Sequence, residues 1–412
     1  GNLAKGSTSI NQPVKQGETY YIGITASNPT STLSISLATI PQNIKGGGIA
    51  DSPFELATAK DLVWFKDYVN DKSGENLAHG DACAKLTADI DLSTVCGENV
   101  GSWDPINNWT GLFDGGGHTI SNLYIKDAKE YTGLFGNVGS TEKQTIIRNI
   151  VFVNANITNT NEKKSENSIV VAKALNAKIS DIHIVSGALI ANISIVNSDN
   201  WIYSGGIVGY GVKVSINSCT NKAVTKGFSC GGIGGSILRL NNADNINYIG
   251  NCINYGNIEG GYAGGIIGDA QLTTINNCAN FGNITGNQKI GGIAGLIPIK
   301  TKIQNSFTTG NVSLCESHTQ YYNIGLVVGN VYRSSLSNIA YSSEATLNGK
   351  LNGNAVGYLN DGSSSECTAY TQAQMKSGEV AYKLNNKKSE GDDLAWYQKL
   401  GENGDAYPVL TS

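Results

Sequence analysis

The chain has 412 residues with 51 glycines, a charged fraction of only 15% and a formal net charge of −4. Hydrophobic residues at 40% exclude disorder, and so many turn-formers at so low a charge fit an extended repeat array better than compact mixed domains. Three arginines and no basic stripe exclude nucleic acid as a partner, and no apolar run is long enough to form a transmembrane segment.

In chain order, residues 1–46 hold two strand-like stretches, Thr19-Tyr-Tyr-Ile-Gly-Ile-Thr25 and Leu33-Ser-Ile-Ser-Leu37. They read as a fragment of a β-sandwich or as strands laid along a larger body, with Gly46-Gly-Gly48 as hinge. Gly1 has no Met before it, which suits a processed or engineered start as easily as a secreted one; a processed start is compatible with an N-terminal lipid anchor. Residues 47–105 form an N-terminal cap. From Phe54 to Val69, Leu62, Phe65 and Val69 recur at helical spacing behind Thr58 as N-cap, so an amphipathic helix is expected there. Lys85-Leu-Thr-Ala-Asp-Ile-Asp-Leu92 alternates as a strand, and Cys83 and Cys96 on either side of it are candidates for a disulfide.

Residues 106–350 carry a degenerate repeat of two interleaved frames. The first reads apolar, any residue, Asn or small polar, apolar or Cys. Its eight copies begin at Ile120, Ile147, Ile179, Ile216, Ile249, Ile275, Ile303 and Leu336, 26 to 37 residues apart. The second lies between them as Thr132-Gly-Leu-Phe-Gly136, Gly205-Gly-Ile-Val-Gly209, Gly231-Gly-Ile-Gly-Gly235, Gly264-Gly-Ile-Ile-Gly268, Gly291-Gly-Ile-Ala-Gly295 and Gly325-Leu-Val-Val-Gly329, with Ser168-Ile-Val-Val-Ala172 in the same place. Strands this short bury no face alone, so the repeats must stack like on like. The predicted fold is all-β, a right-handed parallel β-helix of about eight coils. One column holds Asn122, Asn149, Asp181, Ser218, Asn251, Asn277, Asn305 and Asn338 as a corner ladder whose side chains bond the backbone. Its apolar neighbour runs Leu123, Ile150, Ile182, Cys219, Cys252, Cys278, Ser306 and Ile339. Residues 351–412 lose the repeat and form a small cap, with a short helix interrupted at Gly378 and aromatic segments around Trp396 and Tyr407.

Candidate chemistry is sparse. Asp181 falls in the corner column, while Glu259 and Asp269 lie in neighbouring stretches of one repeat and could share a face. Asp244 and Glu344 are the other carboxylates noted within the repeats. Gly115-Gly-Gly117 before His118 leads into a strand rather than a helix, which reads as a turn and not a phosphate loop. Asp89 and Asp91 face one way, but two ligands are too few for calcium. Cys219, Cys252 and Cys278 stack in a row rather than a tetrahedron, so they read as small core residues and not a metal site. No catalytic, metal or cofactor site is expected. Exposed aromatics are the better signal, because sugars stack on rings: Trp201, Tyr203, Tyr210, Tyr248, Tyr262, Tyr321 and Tyr322 are the candidate ligand contacts. Tyr255 is expected to stack on Phe281. The longer loops, 158–167, 191–204, 237–248 and 313–323, are candidates for contact with a protein.

The repeats resemble the GLUG-motif surface proteins of Bacteroides-type bacteria. Thr132-Gly-Leu-Phe-Gly136 matches the motif literally, and the Gly-Gly-Ile-x-Gly copies match it with Ile. Phe113-Asp-Gly-Gly-Gly-His-Thr-Ile-Ser-Asn-Leu123, the lead-in from Asp51 to Leu92 and the ending from Gly378 to Leu410 are similar as well. The resemblance implies a parallel β-helix on the bacterial cell surface or outer membrane and adhesin or glycan-facing roles. Some such arrays accompany a zinc protease domain, which needs a His-Glu-x-x-His helix. None of His79, His118, His183 and His318 sits in one. The expected function is a non-catalytic adhesin for a host or matrix protein or glycan. Carbohydrate binding, or polysaccharide cleavage by a lyase or glycosidase, is the alternative.

Overall fold

A computed structural model describes residues 40–70, 79–127, 130–161, 164–193, 201–239, 246–315, 322–360, 363–388 and 394–411. The strands expected within residues 1–39, together with Asp244, His318 and Tyr321, lie outside the described residues. The described chain is all-β, with three short α-helices. Two large sheets of 22 and 11 strands are joined only by parallel pairings, and a short antiparallel pair links Trp396 to Leu410.

The repeat frames set the register. Phe135 pairs with Val171, and the same position continues through Val208, Gly234, Ile267, Ala294, Val328 and Val356. The first frame stacks likewise, from Ile147 through Ile179, Ile216, Ile249, Ile275 and Ile303 to Leu336. These isoleucines are completely buried, and each contributes about 1.5–3 kcal/mol relative to an exposed position.

One copy is out of place. Ile120 pairs with Ile90 on one side and Phe152 on the other, while Phe113 takes the position under Ile147. Asn122 and Leu123 therefore do not head the two columns. Asn122 belongs to the next corner, where Asn154 Nδ2 donates to Asn122 Oδ1 at 2.6 Å. The cause is local: in this rung the glycine turn at Gly116 (φ 59°) and Gly117 (φ 80°) makes the bend that Asn makes in later rungs.

The other seven corner residues, Asn149, Asp181, Ser218, Asn251, Asn277, Asn305 and Asn338, all take left-handed φ between 49° and 58°, where Asn and Asp are the least costly non-glycine residues. Their amides bond side chains of the adjacent rung: Asn277 Nδ2 to Asn251 Oδ1 at 3.1 Å, Asn338 Nδ2 to Asn305 Oδ1 at 2.8 Å and Asn149 Nδ2 to Asp114 Oδ1 at 2.9 Å; of these three only Asn338 also bonds backbone, at the Lys383 carbonyl. Cys219, Cys252 and Cys278 are fully buried free thiols, as expected of core residues. Cys83 and Cys96 are also free, so the candidate disulfide does not form; each sulfur instead accepts a backbone N–H, from Leu112 and Tyr124 respectively.

A second ladder runs wholly inside. Asn221 Nδ2 donates to Asn254 Oδ1 at 2.9 Å, Asn254 to Asn280 at 2.8 Å and Asn280 to Thr308 Oγ1 at 3.2 Å. Each Asn also closes a turn on the backbone two residues on, as Asn254 does with both N–H and C=O of Gly256. A Cβ on Gly256 would lie 1.9 Å from the Ala223 carbonyl oxygen, which is why the turn carries glycine.

Parallel pairing starts at Phe54–Leu56 and ends at Ser364–Tyr370, so it extends past residues 106–350 on both sides. Val356–Leu359 and Ser364–Tyr370 form a further rung where the repeat was expected to stop. Helix α1, Ala59–Asn70, covers the first rungs. Phe54–Leu56, ahead of the expected Thr58 N-cap, is a strand. Thr58 Oγ1 accepts from the Asp61 N–H at 3.2 Å while Asp61 accepts from the Thr58 N–H at 3.0 Å, which fixes the start of the helix. Leu62, Phe65 and Val69 are buried, with Phe65 against the rings of Trp109 and Phe113. At the other end, α2 (Gln372–Lys376) and α3 (Glu379–Leu384) break at Gly378, φ 84°, and pack with Trp396 onto Phe307.

Candidate ligand-binding seam

Each Gly-Gly-Ile-x-Gly segment joins a strand of one large sheet to a strand of the other. Two positions seven residues apart flank the bend, and the register stacks them into two adjoining columns, in which Glu166, Ser229 and Ser236 are buried and the tyrosines and lysines partly exposed. One column runs Glu166, Tyr203, Ser229, Tyr262, Lys289 and Asn323. The other runs Lys173, Tyr210, Ser236, Asp269, Leu296 and Asn330. The columns meet: Ser229 Oγ and Ser236 Oγ are 2.8 Å apart, and the Tyr203 and Tyr210 rings are 5.1 Å apart. We call this line of contact the seam.

Four of the seven expected ligand aromatics gather here. Trp201 stacks on Tyr203 (centroids 6.4 Å, interplanar 7°) and lies 5.9 Å from Tyr262, over the buried Phe228. Tyr210 completes the group. Lys289 Nζ sits 4.3 Å from the Tyr262 ring centroid and donates to its hydroxyl at 3.2 Å. Tyr322 stands exposed next to Asn323 at the far end. Tyr248 is elsewhere, on the strand Asn247–Gly250, where it leans across Gly250. Tyr255 stacks on Phe281 at 5.0 Å and 7°, as expected. Part of two expected loops is strand: Ser165–Ser168 and Ile202–Gly205 carry the seam.

Two carboxyls lie in the seam with oxygens that have no hydrogen-bond partner, Glu166 Oε2 and Asp269 Oδ1. Burial pushes both up, Asp269 to about 7 against the opposing pull of Lys289, and Glu166 against Lys164 and Lys173. Burial also raises the Tyr203 and Tyr210 hydroxyls, with Glu166 adding to both and Asp269 to Tyr203. Glu259 does not join Asp269, because Lys226 occupies it. Sequence reasoning passed over Glu166, Lys173, Ser229, Ser236 and Lys289. The seven-residue offset across each glycine pair was the signal that could have found them.

The other carboxylates are engaged or isolated. Asp114, beside an open depression of about 400 Å³ that Asp181 and His183 also line, accepts from Gly116 N–H, Asn149 and Arg148. These donors outweigh burial and hold its carboxyl below the usual range. Asp89 accepts from the Thr119 N–H and approaches His118, and Asp91 is bonded by Asn122 and Ser93. Among the described residues no group of three His, Cys, Asp or Glu side chains is placed to hold a metal.

No family model matches the chain. Halomucin of Haloquadratum walsbyi is 35% identical over 127 residues, 29% of this chain, and the matched part is 1% of that protein's length. A crystal structure from Bacteroides ovatus, named provisionally as an immunoglobulin A1 protease, superposes with a TM-score of 0.52 at 18% identity, covering 89% of this chain and 94% of that one. That likeness concerns the fold alone. No helix among the described residues is long and apolar enough to cross a membrane.

Proposed function

We propose that this chain is a GLUG-type surface or secreted binding protein, wound as a right-handed parallel β-helix of about eight coils, that holds a glycan against the aromatic seam without cleaving it. The winding is supported by the open ends. Among the described residues, Phe54–Leu56 pairs in parallel only with Ala84–Leu86 and is bridged antiparallel by Lys45, while Ser364–Tyr370 pairs only with Ser335–Ser342, so the larger sheet has no closing pair between its two ends; parallel crossovers of this kind are right-handed. The observation that carries the function is the grouping of Trp201, Tyr203, Tyr210 and Tyr262 on one outward stripe beside polar groups, where ring faces and hydrogen-bond groups converge as sugar recognition requires. Adhesion to a host or matrix then follows from the glycans displayed there.

The rival reading is a polysaccharide-cleaving enzyme, favoured by the raised carboxyls Glu166 and Asp269. Their rungs are three strand spacings apart, about 14 Å, whereas glycosidase carboxyls work at roughly 5–9.5 Å. A glycan array run beside reducing-sugar and unsaturated-product assays tests the proposal. Binding that disappears with Trp201→Ala and Tyr203→Ala, with no product formed, is the expected result. Turnover of any polysaccharide overturns it.

A further inference from the structure

We infer that the seam takes a linear oligosaccharide lying along the stacking axis, several sugar units long and contacted from the Lys173 rung to the Lys289 rung; this rests on the glycan-binding reading above. The seam is continuous over six rungs, from Glu166 and Lys173 to Asn323 and Asn330; register shifts at Gly260/Tyr262 and Asp269/Gln271 flank the two columns and leave the seam pairs themselves in step. Its contents are graded. Lys173 lies at one end over the Tyr131 ring, the aromatic group is in the middle, Lys289 follows on Tyr262, and Asn323 and Asn330 close the far end. Lys173 and Lys289 are four strand spacings apart, about 19 Å. One rung rise is close to the length of one pyranose in an extended chain, so successive sugars meet successive rungs. A single sugar on the central rings cannot span both lysines, since Lys289 touches only Tyr262 at one end of the group and Lys173 lies beyond the other.

An extended peptide is the competing occupant. Peptides that lie along β-structure gain affinity by pairing with a free strand edge. Here the Ile202–Gly205 strand is paired on both sides, with Ser165–Ser168 and with Val224–Gly231, and the next strand of that column, Ile258–Gly264, is also flanked on both sides. The seam offers side chains, rings and hydroxyls, and no backbone ladder. That is the chemistry of a glycan chain. It also lets the ligand run perpendicular to the strands, which a paired peptide cannot do.

The test is calorimetric titration of the full chain with cello-, manno- and galacto-oligosaccharides from mono- to hexasaccharide. The expected result is at least tenfold tighter binding of a hexasaccharide than of the matching disaccharide. Lys173→Ala and Lys289→Ala should each weaken the hexasaccharide severalfold and the disaccharide much less, while Trp201→Ala weakens both. A merely structural role for the lysines would not split by ligand length, and thermal melts confirm that each variant folds. Equal affinity for di- and hexasaccharide overturns the inference, as does a lysine effect that is the same at every length. Array binding confined to short terminal sugars, with none of the linear series bound, overturns it while leaving the seam a glycan site. Binding of a peptide library in place of glycans, or no glycan bound on the array at all, takes down the functional reading as well.

Discussion

Two polar stripes run along the same stack and differ in one respect. In the internal ladder every amide of Asn221, Asn254 and Asn280 is spent on a neighbour, and the outer Asn corners are joined from rung to rung in the same way. In the seam, Glu166 and Asp269 keep oxygens with no partner. Buried polar atoms are normally paired, because leaving one unpaired costs about 1–3 kcal/mol. The ladders therefore hold the fold, and the seam costs stability at its two carboxyls.

Experiments can break or sharpen that contrast. The largest effect is expected from Asn254→Leu, which strips Asn221 and Asn280 of a partner and opens the Gly256 turn; a loss of about 3 kcal/mol should appear in urea unfolding. Asn277→Val forces a β-branched residue to φ 54° and should cost about 2 kcal/mol. Asn277→Gly keeps the conformation and loses only the amide contact, so about 1 kcal/mol is expected by the same measurement. If the glycine variant is as damaged as the valine, the corner is held by its amide and not by its backbone angle.

Asp269→Asn should go the other way. The folded carboxyl titrates near 7, well above an unfolded aspartate, so the fold binds this proton more tightly than the unfolded chain does. Stability from this group is then full below the unfolded value, near 4, and is lost as pH rises toward 7. Asp269→Asn should raise stability at pH 8, on the order of 1 kcal/mol once partial exposure is allowed for, and the gain should vanish toward pH 4. Melts across that range check it, and a flat difference would mean that the carboxyl is paired after all. The smallest effect is expected at Lys213, which sits at φ 55° without the side chain suited to it; Lys213→Asn should gain about 0.5–1 kcal/mol.

Lys213 also marks where the sequence stops being legible. The corner at Asn149 through Asn338 could be read because small polar residues recur at a fixed place beside a buried isoleucine. A second left-handed corner, at Asn176, Lys213, Leu272, Lys300 and Arg333, left no trace, since its residue types are indifferent to the angle and stacking alone enforces it. The register of the Gly-Gly-Ile-x-Gly frame was readable for the same reason as the first corner. The rung from Ile120 was misplaced because the pattern Ile-Ser-Asn-Leu repeats by coincidence at a different bend. Of the seam, the aromatics were visible individually. Their meeting with Glu166, Lys173 and Asp269 depends on two strands folding back across a glycine pair, which residue type does not reveal. Tyr248 shows the converse: an aromatic of the right kind on the wrong strand.

The C-terminal cap is pegged into the stack as well as laid on it. Trp396 Nε1 donates to the carbonyl of Asn305, 91 residues earlier, and Asn338 Nδ2 reaches the carbonyl of Lys383. During synthesis these bonds cannot close until the segment from Lys383 to Trp396 has left the ribosome. Until it emerges, the rungs at Asn305 and Asn338 wait with bare edges, so that interval is when this part of the stack is most exposed to mispairing with a copy of itself.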